Sequence, residues 1–385
     1  MKIRAIFVLF VQYFPFSKMD GMIQRVQKAG VEIERHNVTT EDGYILGLYH
    51  LVPPKIETFK NKTMFLMHGL AACSRDYVIY PNISMAYYFA QRGFDVWLGN
   101  ARGSTFSRKH ITLDPDQSEF WMFSWHEIGV YDLPAMIDFV LNQTKEHQLT
   151  YVGHSQGGTA VTVLLCERPE YNKKFRSVHL LAGAVIMKHS SSLRSLMFPS
   201  GNVMNALLAI VEKLDLVEWF SYADFSKLSK LMAKFCSSSN IDEMCKFYLE
   251  FVMGESAPGS YYDVSKSNCD LMRYHYIRLL LKLYWSKYIS ERFQKYDFGH
   301  SKNVALYGMS KPPEYNLKNI KTKLHIVYGT NDKLVVSEAI PVLRNELKRS
   351  VVAVDKMEHF NHIDFLYGKL THLTPPLILR VMNTI

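Results

Sequence analysis

The sequence predicts an α/β domain with a mostly parallel central sheet, interrupted by a long helical insertion. Three observations carry that expectation. From about residue 30 to 185, short runs rich in β-branched and aromatic residues alternate with helical segments. After Gly183 the alternation gives way to amphipathic stretches such as "FSKLSKLMAKFC" and "CKFYLEFVMG", with few strand signals. Alternation resumes near residue 312, so residues 19–185 and 312–385 are expected to form one core and 186–311 an insertion into it.

The expected strands, in order, are "TMFLMHG" from Thr63, "FDVWLGN" from Phe94, "LTYVGH" from Leu149 and "SVHLLAG" from Ser177. After the insertion come "KLHIVYG" from Lys323 and "SVVAVD" from Ser350, with a helical segment through Leu347 between them. Each run ends near glycine or a polar turn. Between them, "ISMAYYFAQRG" reads as a helix closed by Gly93. A second helix is expected to start at Asp132 as N-cap, with Pro134 in its first turn and Met136, Ile137, Val140 and Leu141 on one face. "QGGTAVTVLLCERPE" reads as a third, stopping at Pro169.

A chain of 385 residues suits one large, well-buried domain with an insertion. With 48% hydrophobic and 21% charged residues, its composition excludes disorder. The net charge of +9 is scattered and forms no basic arm, which argues against nucleic acid, though a basic surface would suit anionic lipid. No apolar run is long enough for a transmembrane helix. Residues 1–18 read as a signal peptide, with Lys2 and Arg4 ahead of the apolar run Ala5 to Val11, although no clean cleavage site follows. Five cysteines (Cys73, Cys166, Cys236, Cys245 and Cys269) leave at least one unpaired. N-glycosylation sequons stand at Asn37, Asn61, Asn82 and Asn142.

The chemistry is carried by "LTYVGHSQGG". Gly153-x-Ser155-x-Gly157 lies between an expected strand and an expected helix. A tight strand-to-helix turn holds its middle residue clear of the backbone, and small residues two places to either side let the chain make it. A serine hydroxyl becomes a nucleophile when an imidazole takes its proton and a carboxylate fixes that imidazole. With the nucleophile on such a turn, the acid and then the histidine follow along the chain. Asp332, after "LHIVY", is the expected acid, with Asp355 the alternative. His359 and His362, both in "MEHFNHIDF", compete as base. Backbone N–H groups of Gln156, next to the nucleophile, and Leu70, after the strand ending in His68-Gly69, are the expected oxyanion donors. "HFNH" lacks further ligands at a recognisable metal spacing, and no phosphate loop or dinucleotide fingerprint occurs, so neither metal nor cofactor is expected.

These residues together resemble the acid lipase family, the gastric and lysosomal acid lipases within the α/β-hydrolase fold. The resemblance extends over nearly all of the chain beyond residue 30. It rests on "TTEDGYILGLYH", "LMHGL", "DVWLGNARGSTFSRKH", "SEFWMFSWHEIGVYDLPAMIDFV", "YVGHSQG", "KPPEYNL" and "NHIDF". It implies Ser155 as nucleophile, Asp332 as acid and His362 as base, because the family's histidine precedes an apolar-Asp-Phe triplet. It also implies the oxyanion donors Leu70 and Gln156, a helical cap with a lid over 186–311, and a cap disulfide between Cys236 and Cys245. Family members cleave triacylglycerols or cholesteryl esters at a lipid–water interface, are secreted or lysosomal, and are N-glycosylated. A non-catalytic lipid-binding or storage protein on the same fold is the alternative. Loss of a triad member would mark it, and here every member is present.

Overall fold

A computed structural model describes residues 19–52, 62–187 apart from 71, 82 and 116, residue 250, and residues 253–258 and 292–385. The signal peptide (1–18), nearly all of the cap, Asn61, Asn82, Cys236, Cys245 and Cys269 lie outside the described residues.

Eight strands form one sheet: β1 (Glu32–Thr39), β2 (Ile45–Val52), β3 (Thr63–Met67), β4 (Asp95–Gly99), β5 (Leu149–His154), β6 (Phe175–Leu181), β7 (Leu324–Gly329) and β8 (Val351–Met357). Their spatial order is β1-β2-β4-β3-β5-β6-β7-β8. β2 runs antiparallel to both its neighbours, and every pairing from β4 to β8 is parallel. β3, β4 and β5 are buried at every residue, as befits parallel strands covered on both faces. β6 and β7 pair directly although some 140 residues separate them in the chain, which joins the two sequence segments into one sheet.

Helices α1 (Met19–Lys28), α2 (Met85–Ala90), α3 (125–144), α4 (Gln156–Glu167), α5 (His300–Tyr307), α6 (Ile340–Glu346) and α7 (Thr374–Met382) surround the sheet. Beyond α2, Gly93 adopts φ 73° and the Phe94 N–H reaches back to the Phe89 carbonyl at 3.1 Å, the glycine-terminated end the sequence predicts. None of the described helices is long and apolar enough to cross a membrane.

One helix start differs from expectation. α3 begins at Trp125, where Ser124 and Glu127 form a capping box, and it continues without a break through a π-helical turn at Ile128–Asp132. Asp132 has helical dihedrals and caps nothing. Its carboxylate is taken instead by Arg102: Oδ1 accepts from Nε at 2.7 Å and Oδ2 from the backbone N–H at 2.8 Å. The guanidinium also grips Asp42 with two further bonds, at 2.6 and 2.8 Å. Burial opposes the charge on Arg102, but Asp132 and Asp42 outweigh it and raise the guanidinium above its ordinary pKa. Arg102 thereby fastens the loop after β4 to α3, and the neighbouring Ala101 N–H donates to His68 Nε2 at 3.1 Å.

Candidate active site

Ser155 stands between β5 and α4 with φ 51° and ψ −114°, a left-handed conformation that non-glycine residues rarely adopt. Close packing requires the flanking glycines. A Cβ at Gly157 would lie 2.4 Å from the Met67 carbonyl oxygen, and one at Gly153 would lie 2.6 Å from the Gly157 carbonyl carbon. The turn is pinned from β6 and the segment after it: the Ser155 N–H donates to Leu181 O at 2.9 Å, and the Ser155 carbonyl accepts from the Ala184 N–H at 3.3 Å.

Ser155, His362 and Asp332 come together from three loops that follow β5, β8 and β7. Ser155 Oγ lies 2.9 Å from His362 Nε2, and His362 Nδ1 lies 2.8 Å from Asp332 Oδ2. The other oxygen of Asp332 accepts from the backbone N–H groups of Leu334 and Val335, both at 2.8 Å, so the carboxylate cannot swing away from the imidazole. All three residues are buried, each at most 4 % exposed. The His362 backbone is held on both sides. Its N–H donates to Met253 O at 3.1 Å, and its carbonyl meets His154 Nε2 at 2.8 Å. Burial, with His362 nearby, pushes His154 down to about 3, so its imidazole stays neutral and Nε2–H is the donor.

The competing residues lie elsewhere. His359 is exposed, with φ 63°, and its backbone N–H donates to Thr330 Oγ1. Asp355 is engaged by Arg380 and by His325 Nε2, the latter at 2.8 Å, while His325 Nδ1 meets His179 Nδ1 at 2.9 Å. That chain of side chains runs across β6, β7 and β8. His154 escaped sequence reasoning as a support for His362; its place inside "GHSQG" was the available signal.

The loop after β3 packs against the serine turn. A Cβ at Gly69 would lie 3.1 Å from both Ser155 Cβ and His154 Nδ1, so glycine allows the approach. His68 fixes this loop, Nδ1–H donating to Gly69 O at 2.7 Å while Nε2 accepts from Ala101. Burial pushes His68 down to about 4, which keeps it neutral for that paired role. Leu70 follows directly and is half-buried, and Gln156 is the first residue of α4, where a backbone N–H has no partner within the helix. The arrangement sets a hydroxyl oxygen, an imidazole within hydrogen-bond reach and a fixed carboxylate in a row beside backbone N–H groups, the set of groups that acyl transfer uses.

Of the expected sugar-acceptor positions, Asn37 on β1 and Asn142 on α3 are exposed. Cys73 and Cys166 are buried free thiols.

Comparison with known proteins gives a consistent picture. The family model for the alpha/beta hydrolase fold matches residues 62–211, and that for a partial alpha/beta-hydrolase lipase region matches residues 22–80. Lipase 3 of Drosophila melanogaster is 36% identical over 362 residues, covering 90% of this chain and 88% of its own. The lysosomal acid lipase/cholesteryl ester hydrolase of Macaca fascicularis is 33% identical, covering 88% of this chain and 84% of its own. Rat gastric triacylglycerol lipase is 30% identical, with 90% and 87% covered. Among solved structures, a bacterial membrane phospholipase A aligns with a TM-score of 0.55 at 16% identity, over 100% of this chain and 97% of that one, which bears on the fold alone.

Proposed function

This chain belongs to the acid lipase family of α/β-hydrolases, and from that membership we propose that it hydrolyses carboxylic esters of lipids, triacylglycerols or cholesteryl esters, with Ser155 as nucleophile. Ser155 Oγ attacks the ester carbonyl as His362 Nε2 takes its proton. The N–H groups of Leu70 and Gln156 hold the resulting oxyanion. The tetrahedral adduct collapses, breaking the bond to the alcohol oxygen, and His362 returns its proton to the leaving alcohol. Water, activated by the same imidazole, then cleaves the acyl-enzyme to release the fatty acid and free Ser155. Asp332 holds Nδ1–H of His362 and supports the imidazolium that forms twice in the cycle.

What supports this reading is the continuous chain of two hydrogen bonds, 2.9 and 2.8 Å, from Ser155 through His362 to Asp332. Ser155→Ala is expected to lower turnover of emulsified triolein, cholesteryl oleate and a short-chain ester by about 10⁶-fold, as in other serine triads, with an unchanged melting temperature. Retained hydrolysis by clean variant protein would overturn the assignment. The relatives' names support a secreted or lysosomal enzyme, with Asn37 and Asn142 as accessible glycosylation positions.

A further inference from the structure

We propose that the β1–β2 hairpin carries a zinc site formed by Glu34, His36 and His50. Glu34 stands directly opposite His50 in the strand pairing, and the two-residue period of β1 sets His36 on the face of Glu34. The ligating atoms of the three side chains all lie within 4.8 Å of one another. Glu34 Oε2 is 3.4 Å from His36 Nε2 and 3.7 Å from His50 Nδ1. A zinc ion held tetrahedrally at about 2.0–2.1 Å from each ligand sets ligand atoms about 3.3–3.4 Å apart. The carboxylate oxygen therefore already stands at nearly that spacing from both imidazoles. A small side-chain rotation brings the imidazoles together, and water completes the fourth position.

Two features point to an ion at the centre. His36 Nε2 is shielded from solvent and makes no hydrogen bond, although a carboxylate oxygen faces it. His50 Nε2 meets Asp95 Oδ1 at 2.5 Å, and the other Asp95 oxygen accepts from Trp97 Nε1 at 2.9 Å. With Nε2 engaged by Asp95, the other ring nitrogen of His50, Nδ1, is the one that faces Glu34. Zinc-binding histidines commonly donate their second nitrogen to a carboxylate in this way. The rings are also held in place. His50 stacks on Trp97 at 4.1 Å and 5°, and His36 packs between Trp97 and Phe139 at 5.4 and 5.3 Å. Two imidazoles and one carboxylate favour zinc over calcium or magnesium, which prefer oxygen ligands.

Asp95 opens β4 and Ser155 follows the last residue of β5, and both strands run parallel to β3. The ligands themselves stand on the edge pair β1–β2, with His50 opposite Trp97 of β4, and β4 and β3 separate that pair from β5 and Ser155. The zinc site fastens the edge strand β1 to β2 and, through Asp95, to β4, so it serves stability and stands apart from the ester chemistry.

The test is calorimetric titration of EDTA-stripped, dialysed full-length protein with zinc chloride, alongside metal content and melting temperature. One Zn²⁺ per chain, a raised melting temperature and no response to Mg²⁺ or Ca²⁺ are expected. Glu34→Gln/His36→Gln is expected to abolish that binding event, and Asp95→Asn, which keeps all three ligands, to weaken it by about 10–100-fold. In the unaltered chain, zinc is expected to protect His36 and His50 from diethyl pyrocarbonate, a reading that requires no variant to fold. Zinc binding equal in the wild type and the double variant, or both histidines unprotected at saturating zinc, would overturn the proposal.

Discussion

Replacing Arg102 with methionine tests how the loop after β4, which meets His68 beside the Ser155 turn, is held. The side chains of Arg102 and Asp132 are 1 % and 0 % exposed, and Asp42 is partly open to solvent. Methionine fills much of the same volume but leaves Asp132 with a single donor, the backbone N–H of position 102. Removing one partner of a buried ion pair typically costs about 3–5 kcal/mol. An independent limit comes from protonation. An unfolded aspartate titrates near 3.9, so forcing the carboxyl neutral at pH 7 costs about 4 kcal/mol. Burial already pushes Asp132 up to about 6 in the intact protein, against the pull of Arg102, and losing that pull raises it further. A raised folded pKa gives stability that is present at low pH and lost as pH rises through it. The deficit of the variant should therefore shrink by about 1–2 kcal/mol between pH 7 and pH 5. Urea unfolding followed by tryptophan fluorescence measures both numbers. Arg102→Met/Asp132→Asn, which leaves no buried charge, should recover most of the loss. A single variant that loses under about 1 kcal/mol, a deficit that grows on acidification, or a double variant as unstable as the single would refute the reasoning.

Two further outcomes are expected. Asp332→Asn should lower turnover by about 10⁴-fold, as in other serine triads, whereas Asp355→Asn should leave turnover near wild type because Asp355 serves His325 and Arg380; kinetics on a soluble short-chain ester distinguish the two, and a reversed ranking would contradict the site. Burial holds His68 and His154 at about 4 and about 3, below the ordinary value of 6.5, and also lowers His179 and His325. A depressed folded pKa gives stability that is present above pH 6.5 and lost as pH falls, about 3 kcal/mol each for His68 and His154 by pH 4; urea unfolding at pH 7, 5.5 and 4 should show the decline, and a flat profile would contradict it.

The parallel heart of the sheet was legible because β3 to β8 are continuous apolar runs closed by glycine or polar turns. The β1–β2 hairpin was not, since Glu32, Glu34, Arg35 and His36 break the apolar pattern of an edge strand that one face leaves in solvent. Asp132 misled as a helix cap because local propensity cannot register a buried arginine thirty residues away in the chain. The strained strand-to-helix turn at Ser155 was legible from the Gly-x-Ser-x-Gly motif and the strand and helix patterns on either side of it. The choice of His362 over His359 was not, because both stand in one loop and only the fold turns one of them inward; family resemblance supplied it. Glu34, His36 and His50 form no recognisable metal motif in sequence, as the third ligand arrives across a hairpin.

The most direct measurement is labelling of the enzyme with an alkyl p-nitrophenyl phosphonate, followed by peptide mapping. One adduct per chain on Ser155, suppressed in His362→Ala, is the expected result. Inhibition accompanied by an adduct on another residue, or an unmodified Ser155 in active protein, would contradict an activated serine at that turn.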